Sequence, residues 1–275
     1  MNRRLLIIVL MACLLPLGMQ AQQGTFRFAQ LTDIHLTPNN PNPTEDLLRS
    51  VAQINATDSI DFVLVTGDLT EEGDRTTMEK VKSCLDLLKV PYHVVLGNHE
   101  TKWSDSGCTA FGEIFGGERF EFEHKGFLFL GFNSGPLMRM AYGHVVPQDI
   151  RWMTEEMDKN GKDKPVILVT HYPLMEGDVD NWYEVTDASA PTTCACLSAG
   201  TTTATGIYVT TAFRGVLMRS NLCDKEGKPG YGIYEVTGGF HPGIHATYRR
   251  AQEAVDSILA DRTVLRPQRK GREIS

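Results

Sequence analysis

The chain has little of three features that would place it in common functional classes. It has no apolar run of the roughly 20 residues that a membrane-spanning helix needs. Basic residues are outnumbered, with 27 Lys and Arg against 34 Asp and Glu, which disfavours non-specific binding to nucleic acid. Beyond the amino-terminal segment five cysteines remain, an odd number without regular spacing, which argues against a disulfide framework. A membrane span, a nucleic-acid partner and a disulfide scaffold are therefore not expected.

The amino terminus carries the pattern of a secretory signal peptide. Two arginines, Arg3 and Arg4, precede an apolar stretch at residues 5–17, and small residues follow at Gly18 and Ala21. This pattern predicts a signal peptide over residues 1–21, cleaved after Ala21, and a secreted or periplasmic protein without a stable membrane anchor. A lipoprotein anchored at Cys13 is the alternative. We favour simple export because the apolar residues continue beyond that cysteine.

Strands and helices alternate through most of the remaining chain. The 275 residues, 41% of them hydrophobic, suffice for one substantial domain, which we place at residues 22–237, with a tail of uncertain structure at 238–275. Because strands alternate with amphipathic helices, the pattern predicts an α/β fold with parallel central strands. The predicted helices begin at Thr44, cover 76–88 and cover 147–157, and a predicted hairpin joins 119–124 to 127–133.

Four short polar motifs each follow a strand-like apolar run. In an open α/β sheet, ligands bind beyond the carboxyl ends of the strands, so the side chains of these motifs are expected on one rim. The runs cover residues 26–31, 62–65, 92–96 and 166–169, and the motifs are Asp33-Ile34-His35, Gly67-Asp68, Gly97-Asn98-His99-Glu100 and Thr170-His171-Tyr172.

The donor atoms of these motifs suit two metal ions that share a carboxylate. Asp68 can bridge two ions through its two oxygens, and Asn98 offers a neutral carbonyl oxygen. Imidazole and carboxylate ligands suit Zn, Fe or Mn, and their spacing does not choose among the three. Taken alone, the Asp and Asn residues are also explained as ordinary turns or helix caps, and His171 as a histidine of the core. Four such coincidences in order favour a site. The candidate ligands are Asp33, His35, Asp68, Asn98 and His171.

In this order the motifs resemble those of the calcineurin-like metallophosphoesterases, whose signature runs D-x-H, G-D, G-N-H-[D/E], H and G-H-x-H. Residues 67–73 look most like the cyclic-nucleotide phosphodiesterase branch. The resemblance implies a four-layer α/β/β/α sandwich, in which two facing mixed sheets are flanked by helices. It also implies hydrolysis of phosphate mono- or diesters of small molecules through a metal-activated water.

The same resemblance implies a role for each motif residue. Asp33, His35 and Asp68 would hold one metal ion, and Asp68, Asn98 and His171 a second. Two divalent or trivalent ions (Fe, Mn or Zn) are therefore expected. His99 would stay outside the ligand set and protonate the leaving alkoxide. Asn98 and His99 would also contact the substrate.

The last motif of that signature, G-H-x-H, is missing. Its usual place falls within residues 188–212, which hold eight threonines, no charged residue and no helical or alternating period. Gly200-Thr201-Thr202-Thr203 is a pattern that Gly-His-x-His can take when it is read one base out of frame. We therefore predict two compensating frameshifts, near Ala188 and near Ala212, that hide histidines at Thr201 and Thr203.

Three alternatives to a complete site in a repaired chain remain open. In the first, the chain is a catalytically impaired domain that lacks one histidine per metal. In the second, it works with a single metal ion. In a third, His241 and His245 replace the missing pair; we do not favour it, because they lie in a segment without apolar periodicity.

Overall fold

The computed structural model describes residues 24–138, 140–160, 164–192, 194–199, 206–209, 213–218, 230–237 and 243–250. Strands and helices alternate along the first half, and strands dominate the second. The first half holds β1 (Phe26–Leu31), α1 (Asn42–Ala56), β2 (Phe62–Thr66), α2 (Arg75–Leu85), β3 (Tyr92–Val95), a π-helical turn (His99–Trp103) and α3 (Thr109–Phe115). The second half holds β4 (Phe120–His124), β5 (Phe127–Gly131), α4 (Pro147–Asn160), β6 (Val166–Val169), α5 (Trp182–Ser189), β7 (Cys194–Ala199), β8 (Gly206–Val209), β9 (Phe213–Met218), β10 (Gly230–Thr237) and β11 (Gly243–Arg250).

Within the described residues these strands form two mixed sheets. The first has five strands in the order β11-β10-β1-β2-β3, and the second has six in the order β4-β5-β6-β7-β9-β8. Strands β1, β2 and β3 run parallel to one another, as do β5, β6, β7 and β9. The carboxyl ends of β1, β2 and β3 therefore lie at one edge of the first sheet.

Three apolar clusters show that the molecule has four layers. One cluster joins the first sheet to α1, α2 and α3, and another joins the second sheet to α4 and α5. A third lies between the sheets and is rich in phenylalanine; in it, the Phe28 ring stacks on those of Phe62 at 5.1 Å and Tyr234 at 4.7 Å. The α/β/β/α sandwich of two facing mixed sheets is confirmed.

Helix α2 is shorter than the pattern of residues 76–88 predicts. It begins after Asp74, whose side chain accepts a hydrogen bond from the Thr77 amide at 2.9 Å, a standard amino-terminal cap. It ends at Leu85 because the Asn55 side chain of α1 holds the following turn. That side chain donates to the Leu87 carbonyl and accepts from the Lys89 amide, both at 2.8 Å.

Two regions without a sequence signal contain strands. In the threonine-rich stretch 188–212, β7 pairs in parallel with β6, with Leu197 opposite Val169. In the segment 238–275, which the sequence leaves as a tail, β11 pairs antiparallel with β10. The predicted signal peptide, Thr201, Thr203 and His241 lie outside the described residues. Among the helices that the structure describes, none has the length and apolar character needed to cross a membrane.

Candidate metal centre

All six motif side chains predicted to form the site meet where the two sheets share a rim. Asp33 and His35 follow β1, Asp68 follows β2, Asn98 and His99 follow β3, and His171 follows β6 of the second sheet. His171 Nε2 lies 3.0 Å from Asn98 Oδ1, so the loop after β6 closes on the loop after β3 across the two sheets.

Asp68 is at the centre of this group. Its Oδ2 lies 3.3 Å from His171 Nε2, 3.6 Å from His35 Nε2 and 3.9 Å from His99 Nε2. Its other oxygen, Oδ1, accepts a hydrogen bond from the His99 amide at 3.0 Å. One carboxylate thus faces three imidazoles, and both of its oxygens are engaged.

Each of the three imidazoles is oriented by an oxygen behind it. His171 Nδ1 lies 2.7 Å from the Thr66 carbonyl, and His99 Nδ1 lies 2.6 Å from the Glu71 carbonyl. His35 Nδ1 lies 3.1 Å from the Glu71 carboxylate. Because a carbonyl only accepts, His171 and His99 carry a proton on Nδ1, and all three rings direct Nε2 toward Asp68. Metal-binding histidines are commonly held in this way.

The backbone of this rim is strained. Asp33, His35 and Asp68 have positive φ values of 52°, 49° and 50°, a left-handed conformation that side-chain-bearing residues rarely adopt. Such strain persists where the surrounding structure enforces it, and it is concentrated at functional sites. Here the loops after β1 and β2 enforce it through paired backbone bonds, from the Asp33 amide to the Gly67 carbonyl at 3.1 Å and from the His35 amide to the Asp68 carbonyl at 3.0 Å.

Two glycines allow these loops to approach closely. A Cβ on Gly67 would lie 2.6 Å from Gly97 Cα and 2.8 Å from His171 Nδ1. A Cβ on Gly97 would overlap the backbone nitrogen and Oδ1 of Asp68. The motif glycines therefore provide space for the carboxylate as well as permitting a turn.

A family model described as calcineurin-like phosphoesterase matches residues 26–192. The chain belongs to this family. The family description names phosphate-ester hydrolysis, which supports a metal-dependent hydrolase, and the resemblance read from the motifs is confirmed.

Curated relatives match over part of their length. A 3′,5′-cyclic-nucleotide phosphodiesterase of Nostoc sp. is 24% identical over 152 residues, which cover 53% of this chain and 56% of the relative. A protein of Arcobacter nitrofigilis named as a glycerophosphodiester phosphodiesterase is 27% identical over 130 residues, 44% of this chain and 45% of the relative. The matched part of this phosphoesterase chain thus spans about half the length of either relative.

Solved structures share the fold at low sequence identity. A dimetal phosphatase from Danio rerio superposes with a TM-score of 0.61 at 13% identity, covering 80% of this chain and 98% of that one. A purple acid phosphatase from yellow lupin has a TM-score of 0.61 at 12% identity and covers 85% of this chain and 52% of that one. At these identities the superpositions establish the architecture alone.

The donor atoms of the phosphoesterase rim fit divalent ions. Two groups of three side chains, His35 with Asp68 and His99, and Asp33 with Asp68 and His171, have ligand atoms within 4.8 Å of one another, and both include Asp68. Asp33 and Asp68 are buried carboxylates, whose neighbouring negative charges a cation would offset. Hard oxygen donors combined with imidazole nitrogens suit Zn, Fe or Mn.

Electrostatics in this rim follow from burial and from the shared carboxylate. Burial raises the pKa of Asp33 above its usual range, and Asp68 adds to this effect. Burial opposes ionisation of Asp68 as well, but His171, His35 and His99 hold the pKa of that carboxyl well below its usual value. For His171, burial alone would lower the pKa, but Asp68 and Asp33 raise it to about 10. Asp68 and His171 therefore form a buried ion pair when no metal is bound.

Glu100, which joins two loops of the rim, is not among the residues that the sequence pattern predicts for the site. Glu100 is fully buried, and its carboxylate joins the loops after β2 and β3: Oε1 accepts from the Leu69 amide at 2.9 Å and the Thr70 amide at 3.1 Å, and Oε2 from the Gly97 amide at 2.9 Å. Burial and the nearby Asp68 raise the pKa of Glu100 to about 7. Its place at the end of Gly97-Asn98-His99-Glu100 is the one signal that could have identified it.

The structure places His245 far from this rim. In β11 its backbone is opposite Glu235 of β10, and Glu235 is opposite Arg27 near the amino end of β1. The candidate ligands Asp33 and His35 follow the other end of β1. His245 is therefore not brought to the metal centre.

Proposed function

We propose that this chain is a dinuclear-metal phosphoesterase domain that cleaves phosphate esters at the rim around Asp68. The observation that carries the proposal is the shared carboxylate, which belongs to both groups of candidate ligands. The family resemblance assigns Asp33, His35 and Asp68 to one ion and Asp68, Asn98 and His171 to the other. The two geometric groups divide the side chains differently, with Asp33 beside His171 and His99 beside His35, and both divisions share Asp68. Bound ions would supply positive charge that polarises a phosphoryl oxygen and lowers the pKa of water.

His99 serves in this proposal as the general acid. Its Nδ1 donates to the Glu71 carbonyl at 2.6 Å. This hydrogen bond fixes the ring with Nε2 facing the Asp68 carboxylate. A cationic His99 would donate its Nε2 proton to the leaving alkoxide. The same Nε2 also belongs to one candidate ligand group, so the alternative role is that of a metal ligand. Asn98, whose Oδ1 faces His171, and His99 would both border the bound phosphate.

The proposal extends to substrate class and location. The names of the two curated relatives refer to phosphodiesters, which favours diesters as substrates, with monoesters as the alternative. The signal-peptide pattern of residues 1–21 supports export to the periplasm or the medium. Mass spectrometry of the amino terminus of the protein recovered from its host tests this directly, and an intact Met1 would refute cleavage after Ala21.

Metal content and turnover together test the function. The purified chain is reconstituted with Mn²⁺, Zn²⁺ or Fe²⁺, and bound metal per chain is measured by mass spectrometry of the ions. Turnover of p-nitrophenyl phosphate and its bis ester is measured on the same samples. Two ions per chain support the dinuclear proposal, one ion supports a mononuclear site, and no bound metal overturns both.

A second candidate, a catalytically impaired domain, is favoured by the residues after β7. Strand β7 lies beside β6 in parallel, so its carboxyl end is at the same rim as His171, and Gly200-Thr201-Thr202-Thr203 follows it directly in sequence. A fifth motif would belong at this place, and the printed chain has no histidine there. We therefore expect the chain as printed to turn over aryl esters at less than about 1 s⁻¹, below ordinary enzymes.

Reading the DNA across residues 188–212 separates a frameshift from a degenerate enzyme. We expect one base gained or lost near each end of the segment, and histidines in place of Thr201 and Thr203 once the frame is restored. If the Gly200 and Thr202 codons do not end in C, neither shifted triplet can read CAC. The impaired-domain explanation would then replace the frameshift.

A further inference from the structure

Exposed apolar side chains are concentrated in one loop of the chain. Among the residues whose side chains the structure describes, seven large apolar side chains are exposed, and four of the seven lie within six positions of one another. Met138 is the extreme case, with 84% of its surface exposed and a left-handed φ of 52°. We name Leu137, Met138, Met140 and Tyr142 the apolar cluster.

The cluster sits on a loop that is closed at its base. The His144 amide donates to the Gly135 carbonyl at 3.2 Å, and the Met140 amide donates to the Leu137 carbonyl at 3.2 Å. The carboxyl-terminal end of the loop is fixed to the loop after β6, because the Gly143 amide donates a hydrogen bond to the Asp178 carbonyl at 2.8 Å. The apolar side chains are therefore presented by an anchored loop.

Both ends of this loop touch residues that lie close in sequence to side chains of the metal centre. A Cβ on Gly143 would lie 2.6 Å from the ring of Tyr172, which follows His171, and a Cβ on Gly135 would lie 2.7 Å from Oγ1 of Thr101, two residues after His99. Ser134, at the start of the loop, accepts a hydrogen bond from the Tyr172 amide at 2.8 Å. The base of the loop that carries the apolar cluster thus packs against residues of the loops that form the metal centre.

We propose that the apolar cluster binds an apolar alcohol group of the phosphate ester, such as an alkyl chain or an aryl ring. This inference rests on the proposed function. In this proposal the alcohol group of an ester held at the metal centre extends over the base of the loop, which adjoins Tyr172 and Thr101, to the cluster. Exposed methionines suit this role because their flexible, polarisable side chains adapt to ligands of different shape. A concentrated exposed apolar patch beside a site is a recognised sign of a binding surface.

Binding of two non-hydrolysable probes tests the cluster without requiring turnover. Titration calorimetry on the Mn²⁺-reconstituted full chain compares hexylphosphonate with methylphosphonate, which share the phosphonate and differ in the alkyl chain. We expect hexylphosphonate to bind about tenfold more tightly, the effect of removing roughly two methylenes from water. In the variant Leu137→Ser/Met138→Ser/Met140→Ser the ratio should fall to within about twofold, with methylphosphonate binding unchanged.

Leu87→Ser is the matched control, because Leu87 is also exposed but follows α2, outside the loop. It should leave the tenfold ratio intact. Equal binding of the two probes by the unmodified chain, or a triple variant that keeps the ratio, overturns the role of the cluster alone. Failure of both probes to bind the unmodified chain overturns the proposed function as well.

A lipid surface is the competing occupant of the cluster. Co-sedimentation with phosphatidylcholine vesicles tests it on the same variants. Vesicle binding by the unmodified chain that is lost in the triple variant would assign the cluster to a membrane and overturn the proposal. We expect neither protein to sediment with the vesicles.

Discussion

At the carboxyl ends of the central strands Asp68 faces three imidazoles, whereas at the opposite end of the sheets Asp61 faces one imidazole and one ammonium group. His124 Nε2 and Lys125 Nζ each lie 2.7 Å from Asp61 Oδ2. At the rim, Asp68 Oδ2 approaches the nearest imidazole nitrogen only to 3.3 Å. An aspartate beside histidine therefore forms a close ion pair at one end, where a lysine also contributes, and a looser, converging set of donor atoms at the other.

Burial and backbone conformation separate the two ends further. Asp61 and His124 are about one-quarter exposed, so that water shares in the solvation of their charges. Asp68 and His171 are buried, and three residues of the rim take left-handed backbone conformations. A contact between Asp and His is therefore not in itself a sign of a metal site. A stronger sign of a metal site is the convergence of several Nε2 atoms on a buried carboxylate, with the Nδ1 atom of each ring held by another oxygen.

Asp68→Asn should break this comparison most completely. The substitution keeps the shape of the side chain and tolerates the left-handed backbone, but it removes the charge shared by both groups of ligands. Metal affinity should fall by more than about 100-fold, since loss of even an outer hydrogen-bond partner costs roughly 10–100-fold. Ion mass spectrometry after dialysis measures it. Asp61→Asn should keep the metal content of the unmodified chain, and equal metal content in Asp68→Asn would refute the shared site.

His99→Ala separates the general acid from a metal ligand. In a chain with Thr201→His and Thr203→His that shows turnover, loss of a general acid should reduce the turnover by about 10²–10⁴. Bound metal should hardly change. His93→Ala is a suitable control, because the half-buried His93 ring lies near the amino end of β3 and stacks on Phe122 at 4.0 Å. Loss of metal in His99→Ala would contradict the proton-donor role and make His99 a ligand.

The motifs predicted which side chains meet at the rim because each follows a strand, and the carboxyl ends of parallel strands share an edge. Glu100 was not predictable in the same way. Its role depends on hydrogen bonds to amides of Leu69 and Thr70, which are about 30 residues distant in sequence. The partners of the imidazoles, such as the Thr66 and Glu71 carbonyls, are backbone atoms and leave no mark in the sequence.

The strand β7 was missed for a different physical reason. Cys196, Leu197 and Ser198 are all buried, because neighbouring strands lie on both sides of β7 and the two faces of its sheet are covered. A strand buried on both faces loses the alternation of polar and apolar residues. In a sequence rich in Ala, Cys and Thr, neither a helical nor an alternating period remains to be recognised.

Gly97→Ala tests whether the close approach at the rim is necessary. Its Cβ would overlap Asp68 at the backbone nitrogen, which cannot move aside as a flexible side-chain end would. We expect the free energy of unfolding to fall by roughly 3 kcal/mol, measured by urea denaturation with metal chelated. Gly112→Ala is the control, because Gly112 lies inside α3 with open space around it. It should stabilise the chain by up to about 1 kcal/mol, and equal effects of the two variants would contradict the packing argument.

The smallest effect is expected from the ion pair at the opposite end. Although partial burial raises the pKa of Asp61, Lys125 and His124 lower it more, so that the folded-state pKa lies below the usual value. A depressed pKa stabilises the fold above the unfolded value of about 3.9, and this stabilisation is lost as pH falls through the folded value. Because these groups are partly exposed, Asp61→Asn should lower the free energy of unfolding by less than about 1 kcal/mol at pH 7.

The difference between Asp61→Asn and the unmodified chain should shrink toward zero between about pH 4 and pH 2, as followed by urea denaturation in the presence of a chelator. Asp58→Asn removes an exposed carboxyl from the same end of the sheets and should show a smaller change over the same range. If the free energy of unfolding of Asp61→Asn stays below that of the unmodified chain by a constant amount down to pH 2, the carboxylate acts through its shape and not its charge. Asp61 would then differ from Asp68 in kind, since Asp68→Asn preserves shape and is expected to lose the metal.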